Sequence, residues 1–118
     1  MLKLRLGKKI YVSIEAVDMR KSIDGLSMKV IEAFDHSSLS GDVFVFFNRL
    51  RDKAKIIYWD KNGYVLYYKR MEKHQFVVPK EVSGGELIIT ETQLHGLLAG
   101  LDFQLMGEFP EVNYDLVL

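Results

Sequence analysis

Cysteine is absent from this 118-residue chain. A disulfide framework, a thiol nucleophile and a cysteine-ligated metal are therefore excluded. No apolar run approaches the roughly 20 residues that span a bilayer. The opening MLKLRLGKKIYVS lacks the apolar block of a signal peptide. A cytoplasmic protein with no membrane partner is the expectation. Signatures of common chemistry are missing as well. The chain holds no GxxxxGK followed by Ser or Thr, no GxGxxG and no GxSxG elbow. Nowhere does Lys follow an acid by two positions, so the Asp/Glu-x-Lys pair of one common nuclease type is absent. His36, His74 and His95 are far apart and in no metal-ligand spacing. There is no internal repeat and no low-complexity tract.

One further absence is regional. Residues 81–118 carry seven acids and no Lys or Arg. All 16 basic residues lie in residues 1–80, against nine acids there, so a net charge of zero conceals a split. Such asymmetry points to a polyanion partner for the basic part. Over the whole chain the composition, 48% apolar and 27% charged, is that of an ordinary globular domain with a core of its own.

The basic charge is densest in residues 48–73, NRLRDKAKIIYWDKNGYVLYYKRMEK. Eight of these residues are Lys or Arg and three are acidic, and Tyr58, Trp59, Tyr64, Tyr67 and Tyr68 lie among them. A one-sign cluster of this kind is the electrostatic footprint of a polyanion site. Exposed rings can stack on unpaired bases. Rings on strands are more often core, and the expectation is that Tyr58 or Tyr67, and Trp59 or Tyr68, are mostly buried.

Along the chain, Lys9 to Ile14 reads as a strand. Met19, Ile23, Leu26, Val30 and Phe34 recur at helical spacing, with Asp18 as the expected N-cap. Residues 35–41 read as a loop. Asp42 to Phe47 reads as a strand apolar on both faces, hence covered on both sides. Ala54 to Trp59 and Tyr64 to Arg70 read as two strands joined at Asn62-Gly63. A two-residue loop sets Lys55 opposite Arg70, and a three-residue loop sets it opposite Lys69. Either register makes two cations face each other, which an anion between them would relieve. Phe76 to Pro79 reads as extended. Gly84-Gly85 reads as a turn, and Glu86 to Ile89 as a strand. Thr90 to Gln93 fits a capping box before a helix with Leu94, Leu97, Leu98 and Leu101 as its buried stripe and Gly100 as its terminator.

The carboxylates Asp18, Asp24, Asp42 and Asp60 are the candidates for gathering a Mg²⁺ ion. A helix cap accounts for Asp18 and a hairpin turn for Asp60, so no cofactor, metal site or catalytic residue is expected. A metal-dependent nuclease ranks last among the possible functions.

VDMRKSIDGL (17–26), GDVFVFFNRLRDKAKIIYWDKNGYVLYYKRMEKHQF (41–76) and ETQLHGLLAGLDF (91–103) resemble a family of small accessory proteins, often called TnpB. These are encoded beside the transposase in bacterial insertion sequences of the insertion-sequence-66 family. The resemblance spans about residues 9–103. It implies a part in moving a DNA element, alongside a transposase that carries the cleavage chemistry. It supplies no catalytic residues to transfer. Ser22 stands where Gly is frequent in the family, and Phe47 where a basic residue is frequent. The second departure removes one cation from the basic stretch.

The expected architecture is α+β: a mainly antiparallel sheet with a central β-hairpin and two packed helices. Residues 1–103 would form the domain and residues 104–118 an acidic C-terminal extension. The expected function is that of a non-catalytic transposition factor binding DNA through Arg20, Lys21, Arg49, Arg51, Lys53, Lys55, Lys69 and Arg70. The other expectation is a protein-interaction module docking on the transposase or another element-encoded protein without touching DNA.

Overall fold

The computed structural model describes residues 8–80 and 86–106. The expected Gly84-Gly85 turn and residues 107–118, most of the acidic extension, lie outside the described residues. A five-stranded sheet with strand order β4-β3-β2-β1-β5 forms the middle layer. Its strands are β1 (Ile10–Val12), β2 (Val43–Phe47), β3 (Lys53–Asp60), β4 (Gly63–Arg70) and β5 (Leu87–Ile89). The helices are α1 (Ile23–Phe34), α2 (Glu91–Leu98) and the single turn α3 (Phe103–Met106). The sheet is mostly antiparallel. The exception is β1 with β2, which pair in parallel and are joined by the crossover that contains α1, as parallel neighbours require.

Strand β2 carries the organising pattern. All five of its residues are buried, because consecutive side chains enter opposite layers. Val43, Val45 and Phe47 join Ile10, Val12, Ala54, Ile56, Leu94, Leu97, Leu98 and Phe103 on the α2 side. Phe44 and Phe46 join Tyr11, Ile57, Leu26 and Val30 on the α1 side. Two cores back to back explain why VFVFF is apolar without alternation. Phe47 is fully buried, with its ring centre 5.3 Å from that of Phe76.

At α2 the expected capping box is present. Thr90 Oγ1 accepts from the Gln93 amide at 3.1 Å, and Gln93 Oε1 accepts from the Thr90 amide at 2.9 Å. Leu94, Leu97 and Leu98 are buried, whereas Leu101 is exposed. Gly100, at φ +87°, takes the left-handed conformation that ends the helix.

Three expectations need correction. Asp18 does not cap α1; Ser22 occupies the N-cap position. Residues 19–21 are held out of the helix because the carbonyls of Met19 and Lys21 both accept from Lys55 Nζ, each at 2.7 Å. The hairpin turn is Lys61-Asn62, not Asn62-Gly63, and Asp60 pairs with Gly63. Lys61 takes the positive φ, +54°, that a two-residue hairpin loop favours at its first position. The hairpin also lies at one edge of the sheet, with β4 outermost, and not at its centre.

Candidate nucleic-acid interface

Moving the turn by one residue changes every partner across the ladder. Lys55 faces Tyr68, Ala54 faces Lys69, and Lys53 faces Arg70. Neither cation pair expected for Lys55 forms. A different pair, Lys53 with Arg70, is the one that brings two cations opposite each other. Each also has an acid beside it. Lys53 Nζ lies 3.6 Å from Asp52, and Arg70 Nε donates to Glu72 Oε2 at 2.7 Å. That hydrogen bond raises the Arg70 pKa above the ordinary arginine value.

Lys53, Lys55, Tyr68 and Arg70 share the α1 face of the sheet, as strand alternation requires. Lys55 is the strap of this surface. Its ammonium, bonded to the Met19 and Lys21 carbonyls, ties the 19–21 segment, which bears Arg20 and Lys21, to the strand. Arg20 is held in turn by Asp18: Nε donates to Oδ1 at 3.1 Å and to Oδ2 at 3.0 Å, and Nη2 to Oδ2 at 2.6 Å. The Arg20 side chain is 91% exposed. Its hydrogen bonds hold the Asp18 carboxyl at about 2, below its ordinary 3.8. A carboxylate depressed in this way contributes stability above the ordinary value and loses it as pH falls through the folded value. Arg20→Gln is expected to return Asp18 towards the ordinary carboxylate range, read by NMR titration of its carboxyl carbon. An unmoved Asp18 would contradict that account.

The other predicted residues separate from this group. Lys69 lies on the opposite face, where Nζ donates to the Leu98 carbonyl at 2.7 Å and satisfies the end of α2. Arg51, in a left-handed conformation at φ +59°, donates through Nη2 to the Ile14 carbonyl at 2.7 Å. Its guanidinium carbon lies 6.0 Å from the centre of the Phe47 ring, and burial lowers its pKa. Nη1 of Arg51 is buried without a partner among the described residues. Lys69 and Arg51 thus support the fold from within. Arg49 is exposed on the β2–β3 turn. That turn is closed by Asn48, whose Oδ1 accepts from the amides of Asp52 and Lys53 at 3.1 and 2.9 Å.

The aromatics divide similarly. Tyr58 and Tyr67 pack half-buried against the α2-side core. Trp59 and Tyr64 meet edge to face at 5.1 Å. Tyr68 is 49% exposed, with Lys55 Nζ 5.4 Å from its ring centre. Towards the other edge of the sheet the sign of charge reverses. A cleft of about 330 Å³ is lined by Glu15, Glu32 and Glu86 with residues of β1, β5 and the end of α1. Among the described residues, no three His, Asp or Glu side chains gather as a metal-ligand group. Asp42, one of the carboxylates considered for Mg²⁺, accepts from the Lys9 amide at 3.1 Å.

The model of the family described as IS66 Orf2-like protein matches residues 8–108, most of the chain. The chain belongs to the IS66 Orf2-like family. Two relatives from Sinorhizobium fredii are similar over nearly their whole length. One, described as "Uncharacterized protein y4jC", is 35% identical over 104 residues, covering 88% of each chain. Another, "Uncharacterized protein y4hO", is 32% identical over 96 residues, covering 81% of this chain and 83% of the relative. No solved structure matches the chain. Membership of the IS66 Orf2-like family carries an accessory role in transposition rather than a known catalytic one.

Proposed function

We propose that this IS66 Orf2-like protein acts in transposition without catalysing it, by binding DNA through the α1 face of β3 and β4. The observation that carries the reading is the Lys55 strap, which ties the segment bearing Arg20 and Lys21 to the strand bearing Lys53, itself paired with Arg70. Cations brought together against their mutual repulsion suit a ligand with closely spaced negative charges. Arg20 and Arg70 are held by exposed acids two residues away. Exposed pairs of this kind are weak and exchange readily for phosphate, while they pre-orient the guanidinium in the free protein. Arg49 extends the surface from the neighbouring turn. Lys55, Lys69 and Arg51 serve by positioning and not by contacting phosphate. The acidic cleft towards the opposite edge repels DNA and thereby fixes which face approaches it.

A titration across salt tests this. The triple variant Arg20→Gln, Lys53→Gln, Arg70→Gln is expected to lower DNA affinity at least tenfold at about 0.1 M salt. It should also reduce the slope of log K against log salt by about 2–3, near one unit for each phosphate left without its cation. Wild-type protein with no salt-dependent binding to element ends or to generic DNA would sink the reading. Co-purification with the transposase from nuclease-treated extract, together with that result, would instead favour docking on an element-encoded protein.

A further inference from the structure

The proposed surface contains one feature that phosphate binding alone leaves unused. Tyr68 is the sole aromatic among the large apolar side chains exposed in the described residues, and it stands beside the cations of the hairpin. Lys55 faces it across the ladder, and Lys53 and Arg70 form the adjacent facing pair. Tyr68 and Arg70 are two residues apart on one strand, so they project from one face about 7 Å apart. Lys55 Nζ sits 5.4 Å from the ring centre and is itself fixed by two carbonyls. The ring therefore lies beside a fixed ammonium and keeps about half its surface in solvent.

Duplex DNA makes poor use of this arrangement. A β-ribbon reads a major groove when it stands free, and this hairpin does not: β3 is paired along its other side with β2 from Ala54 to Ile57. The end of the hairpin that could project carries Asp60 and Lys61, whereas the cations cluster at the opposite end. A half-exposed ring beside cations on a sheet surface is instead the arrangement that takes splayed bases, one stacked on the ring and its phosphates on the neighbouring side chains.

We infer that the preferred ligand of this surface is single-stranded DNA, with Tyr68 as the platform on which an unpaired base stacks and Arg70 and Lys53 holding its phosphates. This rests on the DNA-binding reading above and specifies its ligand. The test is fluorescence anisotropy with the full chain and three labelled oligonucleotides of equal length: single-stranded, duplex, and single-stranded with abasic nucleotides. Wild type is expected to bind the single strand most tightly. Tyr68→Ala is expected to weaken that binding about 5- to 150-fold, the range for removing one stacked base, and to leave duplex binding unchanged. Tyr68→Phe keeps the ring and should retain the preference. The abasic strand presents the same phosphates without bases, and wild type should bind it as weakly as Tyr68→Ala binds the normal strand.

Equal affinity for single strand and duplex, or a single-strand affinity that Tyr68→Ala leaves unchanged, overturns the inference while salt-dependent binding preserves the broader reading. Loss of all salt-dependent binding in wild type overturns both. Tyr68 is exposed, so circular dichroism of Tyr68→Ala should match wild type. If it did not, the abasic strand and the duplex, which need no variant, decide the matter.

Discussion

Phe44→Ala is expected to destabilise the protein by about 3–5 kcal/mol, the usual cost of deleting a fully buried phenyl ring. Phe44 is 1% exposed and sits in the middle strand of the sheet. It stacks on Tyr11 at 5.3 Å and meets Phe34 at 5.4 Å, so one ring links β1, β2 and the end of α1. Removing it leaves a void that neither neighbour can fill without breaking its own packing. Native domains have only about 5–15 kcal/mol to lose. Urea denaturation should therefore show a midpoint shifted far down with an unchanged slope, and much of the variant unfolded on mild heating. A loss below about 1 kcal/mol would mean that the α1-side core is not held through this ring.

Lys55→Ala is expected to cost about 2–3 kcal/mol, since a charged donor to two main-chain carbonyls is removed at once. It should weaken DNA binding as well. The effect on binding is indirect: without the strap, residues 19–21 lose their hold on the strand and Arg20 and Lys21 leave the surface. Lys69→Ala provides the control. It removes a comparable bond, to the Leu98 carbonyl, but on the opposite face. It should lower stability, though by less because only one bond is lost, while DNA affinity, measured below its unfolding transition, stays near wild type. If Lys69→Ala weakened binding as much as Lys55→Ala, the division of the two faces would be wrong. Arg70→Gln should behave in the reverse manner, with weakened binding and little change in thermal stability.

The contrast between these lysines shows what the chain alone does not reveal. Lys55 and Lys69 look equivalent in sequence, two cations on the strands of one hairpin. Their fates diverge because of parity and register: odd positions of β3 face α1, and the partners of its even positions face α2. That assignment hinges on which two residues make the turn. Asn-Gly is the stronger turn signal by local conformational preference. The turn nevertheless forms at Lys61-Asn62 and moves the Lys55 partner from Arg70 to Tyr68. Asp18 is a parallel case. Its helix-cap signal is sound locally, but Lys55, more than thirty residues away, claims the carbonyls that a helix beginning there would have used.

Two local signals do survive folding. The Thr90–Gln93 capping box closes as its spacing requires, because both partners lie within one turn of helix. VFVFF is covered on both faces, since no other environment suits five consecutive apolar residues on a strand. By itself, then, the sequence determined the five strands and the two longer helices but not the single turn α3, along with the doubly covered middle strand, the family and the segregation of basic from acidic residues. The tertiary structure alone decided which cations share a face, which are consumed in holding helix ends and loops, and which ring is left exposed among them. The physical reason is range. Helix caps and strand alternation act over a few residues, whereas a lysine that bonds carbonyls 34 and 36 positions away follows no periodicity in the chain.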